Sequence, residues 1–252
     1  MLTSIANDMG YLGPCRKVIE KIRHLSALRR ETRGVIDLRT PPKGEVGHEG
    51  EHTIQHLVSI LTEGRRKAPA QLDFILRHAQ AVLNIDDMKV NDVRDGISMR
   101  PVGRNMETKA SHRLSDFGFG VSQALPVFVQ GAIMEAGELL TVEQPEAQLH
   151  PTAQLELGSF FGELWKKRNV SSIIETHSSN ILLRLRKLVR SGELSVGDVG
   201  VAYVSVENCA TNVINMTVKA DGELDGKLPM EFFGADLFEA LEFNAIKRPS
   251  KT

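Results

Sequence analysis

G-E-L-L-T-V-E-Q-P-E-A-Q-L-H-P, residues 137–151, is the stretch on which the reading of this chain turns. Its apolar run L-L-T-V stops at Glu143, and Pro145 and Pro151 bracket an acidic turn. A short apolar run closed by a carboxylate is how a parallel sheet ends a buried strand beside a metal-dependent site. Working outward, T-A-Q-L-E-L-G-S-F-F-G-E-L-W-K-K-R at 152–168 has the length and spacing of a helix, and S-I-I-E-T at 172–176 reads as a second buried strand. The three segments form a β-α-β unit, whose crossover makes the strands parallel and puts ligands at their carboxyl ends. Glu143 and His177 are therefore expected at one end of one sheet. The 252 residues contain no G-x-x-x-x-G-K-[ST] loop, the glycine-rich cradle that grips phosphates, so a nucleotide-hydrolase module read here is incomplete.

Composition bounds the alternatives. A 41% hydrophobic content suffices for an ordinary buried core. Thirty-one basic against 32 acidic side chains leave a formal charge of -1, which argues against a whole-chain electrostatic footprint for nucleic acid or membrane. Cys15 and Cys209 lie too far apart to make a metal-ligand spacing, and a reduced setting follows. No secretory signal pattern opens the sequence, and no apolar run reaches the ~20 residues of a membrane span, so the expected location is cytoplasmic. Aromatic residues are 5% of the chain, too few for a base-stacking platform.

Residues 1–50 carry Arg, Gly and Pro in turn-like clusters and read as a connector. Apolar spacing from Ile54 to Leu61, and from Leu72 to Leu83 after Pro69, predicts two helices. Residues 97–102 predict a strand, 180–190 a helix, and 199–206 with 212–218 a two-stranded excursion.

Three groups of residues could carry chemistry. Glu143, at its strand end, can hold magnesium, since hard cations prefer oxygen ligands; the bland alternative is a solvated carboxylate. His177 could hydrogen-bond a terminal phosphate, while Ser178 beside it could be no more than a helix N-cap. L-S-D-F-G-F-G-V-S-Q, residues 114–123, joins glycines, hydroxyls and a following apolar helix; it could close on phosphate, or be a glycine turn with a capping serine. The basic run Arg184, Arg186, Lys187 and Arg190 reads as a solvated helix face, with DNA phosphates as the alternative.

In that order, L-S-D-F-G-F-G-V-S-Q-A-L-P, L-L-T-V-E-Q-P-E-A-Q-L-H-P and I-I-E-T-H-S-S-N resemble the ABC-type ATPase heads of the AAA family, and more narrowly overcoming-lysogenisation-defect-like ATPases. V-A-Y-V-S-V-E through G-E-L-D-G-K-L-P-M-E-F-F resembles the small C-terminal domain that follows one subset of them. The resemblance implies an α/β fold, an incomplete P-loop NTPase head with parallel core strands and flanking helices, over residues 1–195, and a small β-containing extension over 196–252. It implies ATP and Mg2+ as cofactors, with Glu143 as the Walker B acid on the metal and His177 as the switch histidine. Ser115, Gly118, Gly120, Ser122 and Gln123 fall on the signature motif, which reaches a partner's nucleotide across a dimer. Residues 11–16 resemble a segment that normally follows the phosphate loop.

Two departures matter. Without a Walker A loop most of the phosphate affinity is lost, so the resemblance calls for a homodimer or a Walker A-bearing partner chain. Gln144 stands where many relatives have the water-activating glutamate, and an amide cannot accept that proton. Gln144 would then orient water, as glutamine does in other phosphoryl-transfer sites, and turnover would be slow. A truncated gene product, a split gene and an incomplete sequence all fit. By family analogy the setting is DNA handling or anti-phage defence, with DNA as a candidate partner. Two further classes compete: a noncatalytic interaction module keeping the fold, and a metal-dependent hydrolase or nuclease with Glu143, Glu146, His150 and His177 as ligands.

Overall fold

The computed structural model describes residues 18–31, 44–67, 69–90, 97–101, 112–114, 118–207, 209–229 and 232. The chain divides into two compact units after Thr176, ahead of the residue-195 boundary read from the tail motif.

The first unit is built on three parallel strands, β1 (Ile22–Leu25), β5 (Leu139–Glu143) and β6 (Ser171–Glu175), with β5 in the middle. The register sets Leu25 beside Val142 and Val142 beside Ile174, and ends with Glu143 beside Glu175. Since side chains alternate along a strand, Leu25, Leu140 and Val142 share one face, and all three are buried. Glu143 follows on the opposite face, at the carboxyl end. β1 lies within the expected connector, and this corrects that reading. It runs only four residues, two of them Arg23 and His24, so apolar alternation was too brief to mark it.

Helices α1 (Thr53–Lys67), α2 (Pro69–Leu83), α3 (Phe119–Ile133) and α4 (Pro151–Arg168) belong to the same unit. α3 is buried almost all round from Val121 to Ala132, which is why its sequence is apolar without a clear stripe. α2 packs against both α3 and α4. Phe74, His78, Phe128 and Phe160 meet there with ring centroids 4.6 to 6.0 Å apart. Burying a phenylalanine contributes roughly 2–3 kcal/mol, and Phe128 and Phe160 are fully enclosed. α4 starts where Pro151 takes the first helical position behind His150, whose Nδ1 accepts the Thr152 N–H at 3.3 Å. It stops at Asn169, in the left-handed region at φ 54°. Strands β2 (Ile85–Val90), β3 (Ile97–Pro101) and β4 (His112–Arg113) make a separate antiparallel sheet.

The second unit holds helix α5 (Ser179–Arg190) and the antiparallel pair β7 (Gly200–Glu207) and β8 (Ala210–Thr217), around a small core of Leu182, Met216 and Leu228. Arg186, from the basic run, donates to the Gly222 carbonyl at 2.7 Å and pairs with Glu223 at 2.8 Å. That arginine serves the unit's own loop. Among the described residues, no helix is long and apolar enough to cross a membrane.

Candidate functional site

The carboxyl end of the parallel sheet gathers groups from three segments. β5 delivers Glu143, whose side chain is 44% exposed and open to a ligand. The chain leaving β1 turns back so that the Ala27 N–H donates to Glu143 Oε2 at 3.1 Å. His24, in β1, sets Nε2 3.6 Å from Glu143 Oε1. Its Nδ1 lies 2.8 Å from Thr141 Oγ1, and its ring sits 4.6 Å, centroid to centroid, from that of His48.

Beneath this surface lies Arg29, 4% exposed. Its guanidinium donates to the Glu143 carbonyl at 2.5 Å and to the Gln123 carbonyl at 3.1 Å. The Gln123 amide returns a bond to the Arg29 carbonyl at 3.3 Å. One side chain thus ties the end of β5 to the first turns of α3. Burial pushes the Arg29 pKa down from 12.5 to about 10, and nearby Glu146 and Glu143 oppose that shift. The arginine stays charged at neutral pH, a fixed positive charge under the carboxylate.

The turn after Glu143 is strained. Gln144 has φ 41° although it precedes proline, which disfavours anything but extended backbone there. Two bonds hold it: the Gln144 N–H donates to Glu175 at 2.8 Å, and its carbonyl accepts from Ala147 at 3.1 Å. Such outliers persist only where the surroundings enforce them, and they cluster at functional sites.

The expected signature residues divide. Ser115 lies outside the described residues, as does the 11–16 segment. Gly118 is the N-cap of α3, and a Cβ there would meet nothing within 4 Å. Gly120 has a structural reason to be glycine, since a Cβ would come within 3.0 Å of the Gln148 carbonyl oxygen. Ser122 is half-buried one turn into the helix, and Gln123 is 2% exposed and engaged with Arg29. The Gln123 side chain therefore reaches the site through the arginine. His177 opens the second unit, and its role rests on its motif alone. Ser178 caps α5, accepting from the Ile181 N–H at 3.3 Å.

The four-ligand hydrolase is corrected: among the described residues no group of three or more histidine, cysteine or acidic side chains could hold a metal ion, and His150 is spent as a helix cap. Glu143 by itself fits a hard cation, an oxygen donor open to solvent with its other oxygen oriented by a backbone N–H. Sequence reasoning missed His24 and Arg29. The signal that could have found them is I-R-H-L-S-A-L-R-R-E, residues 22–31, a short strand between two apolar residues that carries a histidine, followed by a loop arginine.

The chain is 25% identical over 182 residues to the energy-coupling factor transporter ATP-binding protein of Bacillus licheniformis, covering 68% of this chain and 58% of the relative's length. Among solved structures, an SMC ATPase described for ATP-driven dimerization and DNA-stimulated activation aligns at 13% identity and TM-score 0.43, covering 77% of this chain and 99% of that one. An Smc head domain from Pyrococcus furiosus, bound to the C-terminal domain of ScpA, aligns at 13% identity and TM-score 0.38, covering 79% and 44%. The family model of the AAA ATPase domain matches residues 17–182, most of the chain and nearly all of its first unit. This chain belongs to the AAA ATPase domain family.

Proposed function

We propose that these residues form part of an ABC-type ATPase head of the overcoming-lysogenisation-defect-like kind, which binds Mg-ATP and hydrolyses it as a dimer. A G-x-x-x-x-G-K-[ST] segment from outside the 252 residues supplies the phosphate grip. The observation that carries this reading is the open Glu143 carboxylate at the end of the central parallel strand, seated over buried Arg29. A second feature favours completion by another segment over an inactive module. β6 has no partner on its outer edge among the described residues, and separately the exposed Ile173 leaves apolar surface on one of its faces. Bare edges of this kind are normally covered or paired.

In this mechanism Glu143 would hold a magnesium ion, whose chemistry there would be to offset charge on a phosphoryl group. Gln144, fixed by its strained turn, orients water without taking its proton, so turnover is slow. His177 hydrogen-bonds the terminal phosphate, by its motif. By the motif alone, Ser115, Gly118, Gly120 and Ser122 are the residues that would meet a partner's nucleotide. DNA is the candidate regulator, and anti-phage defence the candidate setting, by family likeness alone.

The test is ATP turnover after joining the chain to a Walker A-bearing segment. Glu143→Ala should abolish hydrolysis, and Gln144→Ala should slow it by at least about tenfold. Unchanged turnover in Gln144→Ala would remove the water-orienting role.

A further inference from the structure

Two ligand-bearing atoms face each other at the end of the sheet with no hydrogen bond between them. His24 Nε2 and Glu143 Oε1 are 3.6 Å apart, beyond hydrogen-bonding distance. Each group is oriented from behind. Thr141 Oγ1 lies 3.4 Å from the Arg23 carbonyl, to which it can donate, and 2.8 Å from His24 Nδ1, from which it then accepts. With the hydroxyl so oriented the ring proton sits on Nδ1 and the Nε2 lone pair faces Glu143. The His48 ring packs beside the imidazole and limits its rotation. On the other side, Ala27 N–H holds Glu143 Oε2 at 3.1 Å, leaving Oε1 towards the histidine.

This is how metal ligands are prepared. A ligating histidine donates its second ring N–H to a fixed acceptor, and a ligating carboxylate is itself hydrogen-bonded. With metal–nitrogen and metal–oxygen bonds of about 2.1 Å, two neighbouring ligands of an octahedral ion lie about 3.0 Å apart. From the observed 3.6 Å the two side chains close by about 0.6 Å on the ion, within reach of small side-chain rotations. A plain ion pair would draw the two atoms into hydrogen-bond contact.

We propose that His24 and Glu143 are two ligands of a single divalent cation, and that the imidazole tilts this site from magnesium towards manganese(II). Magnesium favours all-oxygen surroundings, whereas later first-row ions accept nitrogen. Two protein ligands leave several positions for water or phosphate oxygens, as an open catalytic site requires. The inference rests on reading Glu143 as the metal carboxylate, and adds a second ligand that the motif did not indicate.

The probe is Mn2+ alone, titrated into the full chain and followed by electron paramagnetic resonance, with pulsed measurements for nitrogen coupling to the bound ion. The expected result is one bound Mn2+ with an imidazole nitrogen coupling. His24→Ala should lose the coupling and weaken Mn2+ binding by at least about tenfold, and should weaken Mg2+ binding much less. His24→Gln, which keeps bulk and polarity, should lose the coupling too, so a folding defect in one variant does not decide the matter. Bound Mn2+ without nitrogen coupling, or no Mn2+ bound, overturns the proposal. Loss of Mn2+ in Glu143→Gln together with indifference to His24→Ala also overturns it, while leaving Glu143 as the metal carboxylate. Since no nucleotide enters the titration, a failure of ATP binding is a separate result.

Discussion

Arg29 is the residue on which the candidate site rests. Sequence alone gave it no distinction from its neighbour Arg30, yet Arg30 is exposed and paired with Glu49 at 2.7 Å, whereas Arg29 is buried against two carbonyls. Nothing local separates the two arginines, because the difference arises from where the chain turns after β1. Replacing Arg29 with methionine keeps the bulk and leaves the Glu143 and Gln123 carbonyls without their donor. A buried acceptor without a donor costs 1–3 kcal/mol, so Arg29→Met should destabilise the first unit by about 3 kcal/mol in urea unfolding. Arg30→Met should leave it within the scatter of the measurement. Equal effects would mean that the buried network contributes nothing beyond surface pairing. The strand end at Glu143 and the turn at Gln144, in contrast, are legible, since an apolar run ending in E-Q-P-E carries both.

Among the elements, legibility followed length and punctuation. β5, α4, β6, α5 and the β7–β8 pair matched expectation because each is a long apolar or alternating run closed by a cap or turn: Pro151 before α4, Asn169 after it, Ser178 before α5. β1 escaped because its partner in the sheet lies more than a hundred residues away, and only that pairing makes I-R-H-L a strand. The glycines of the 114–123 segment fit either a phosphate loop or a glycine turn, and Gly120 leaves room for the chain's own turn. Gly131 shows the same economy inside α3. A Cβ there would lie 2.7 Å from Phe160 Cζ and 3.2 Å from Leu164 Cδ1, both on α4. Alanine normally favours a helix over glycine by about 1 kcal/mol. Here Gly131→Ala should instead lose about 1–3 kcal/mol by forcing α3 from α4, with thermal unfolding as the measure. A stabilised variant would show that the two helices separate freely.

At the scale of the whole molecule, pH and ligand decide what is observed. His78 is buried among Phe74, Phe128 and Phe160 with its Nε2 3.5 Å from Glu163. Burial pulls its pKa from 6.5 down to about 4, more strongly than Glu163 raises it, with Arg77 and Lys167 also lowering it. Burial pushes Glu163 upward, but its bond with Arg77 and the charges of His78, Arg77 and Lys167 hold it below the usual carboxylate range. The unfolded chain therefore binds more protons than the folded one between pH 6.5 and 4, so stability falls on acidification through that window. The histidine displacement corresponds to on the order of 3 kcal/mol. His78→Gln should flatten the fall of first-unit stability with acid, and an unchanged slope would place its cause elsewhere. At the end of its parallel sheet this AAA ATPase domain presents Glu143 over Arg29. The most direct measurement is calorimetric titration of Mg-ATP into the chain alone and into the chain joined to a G-x-x-x-x-G-K-[ST] segment. Binding only in the joined form is predicted; tight binding by the chain alone, or none by either, would contradict a nucleotide site shared between these residues and that segment.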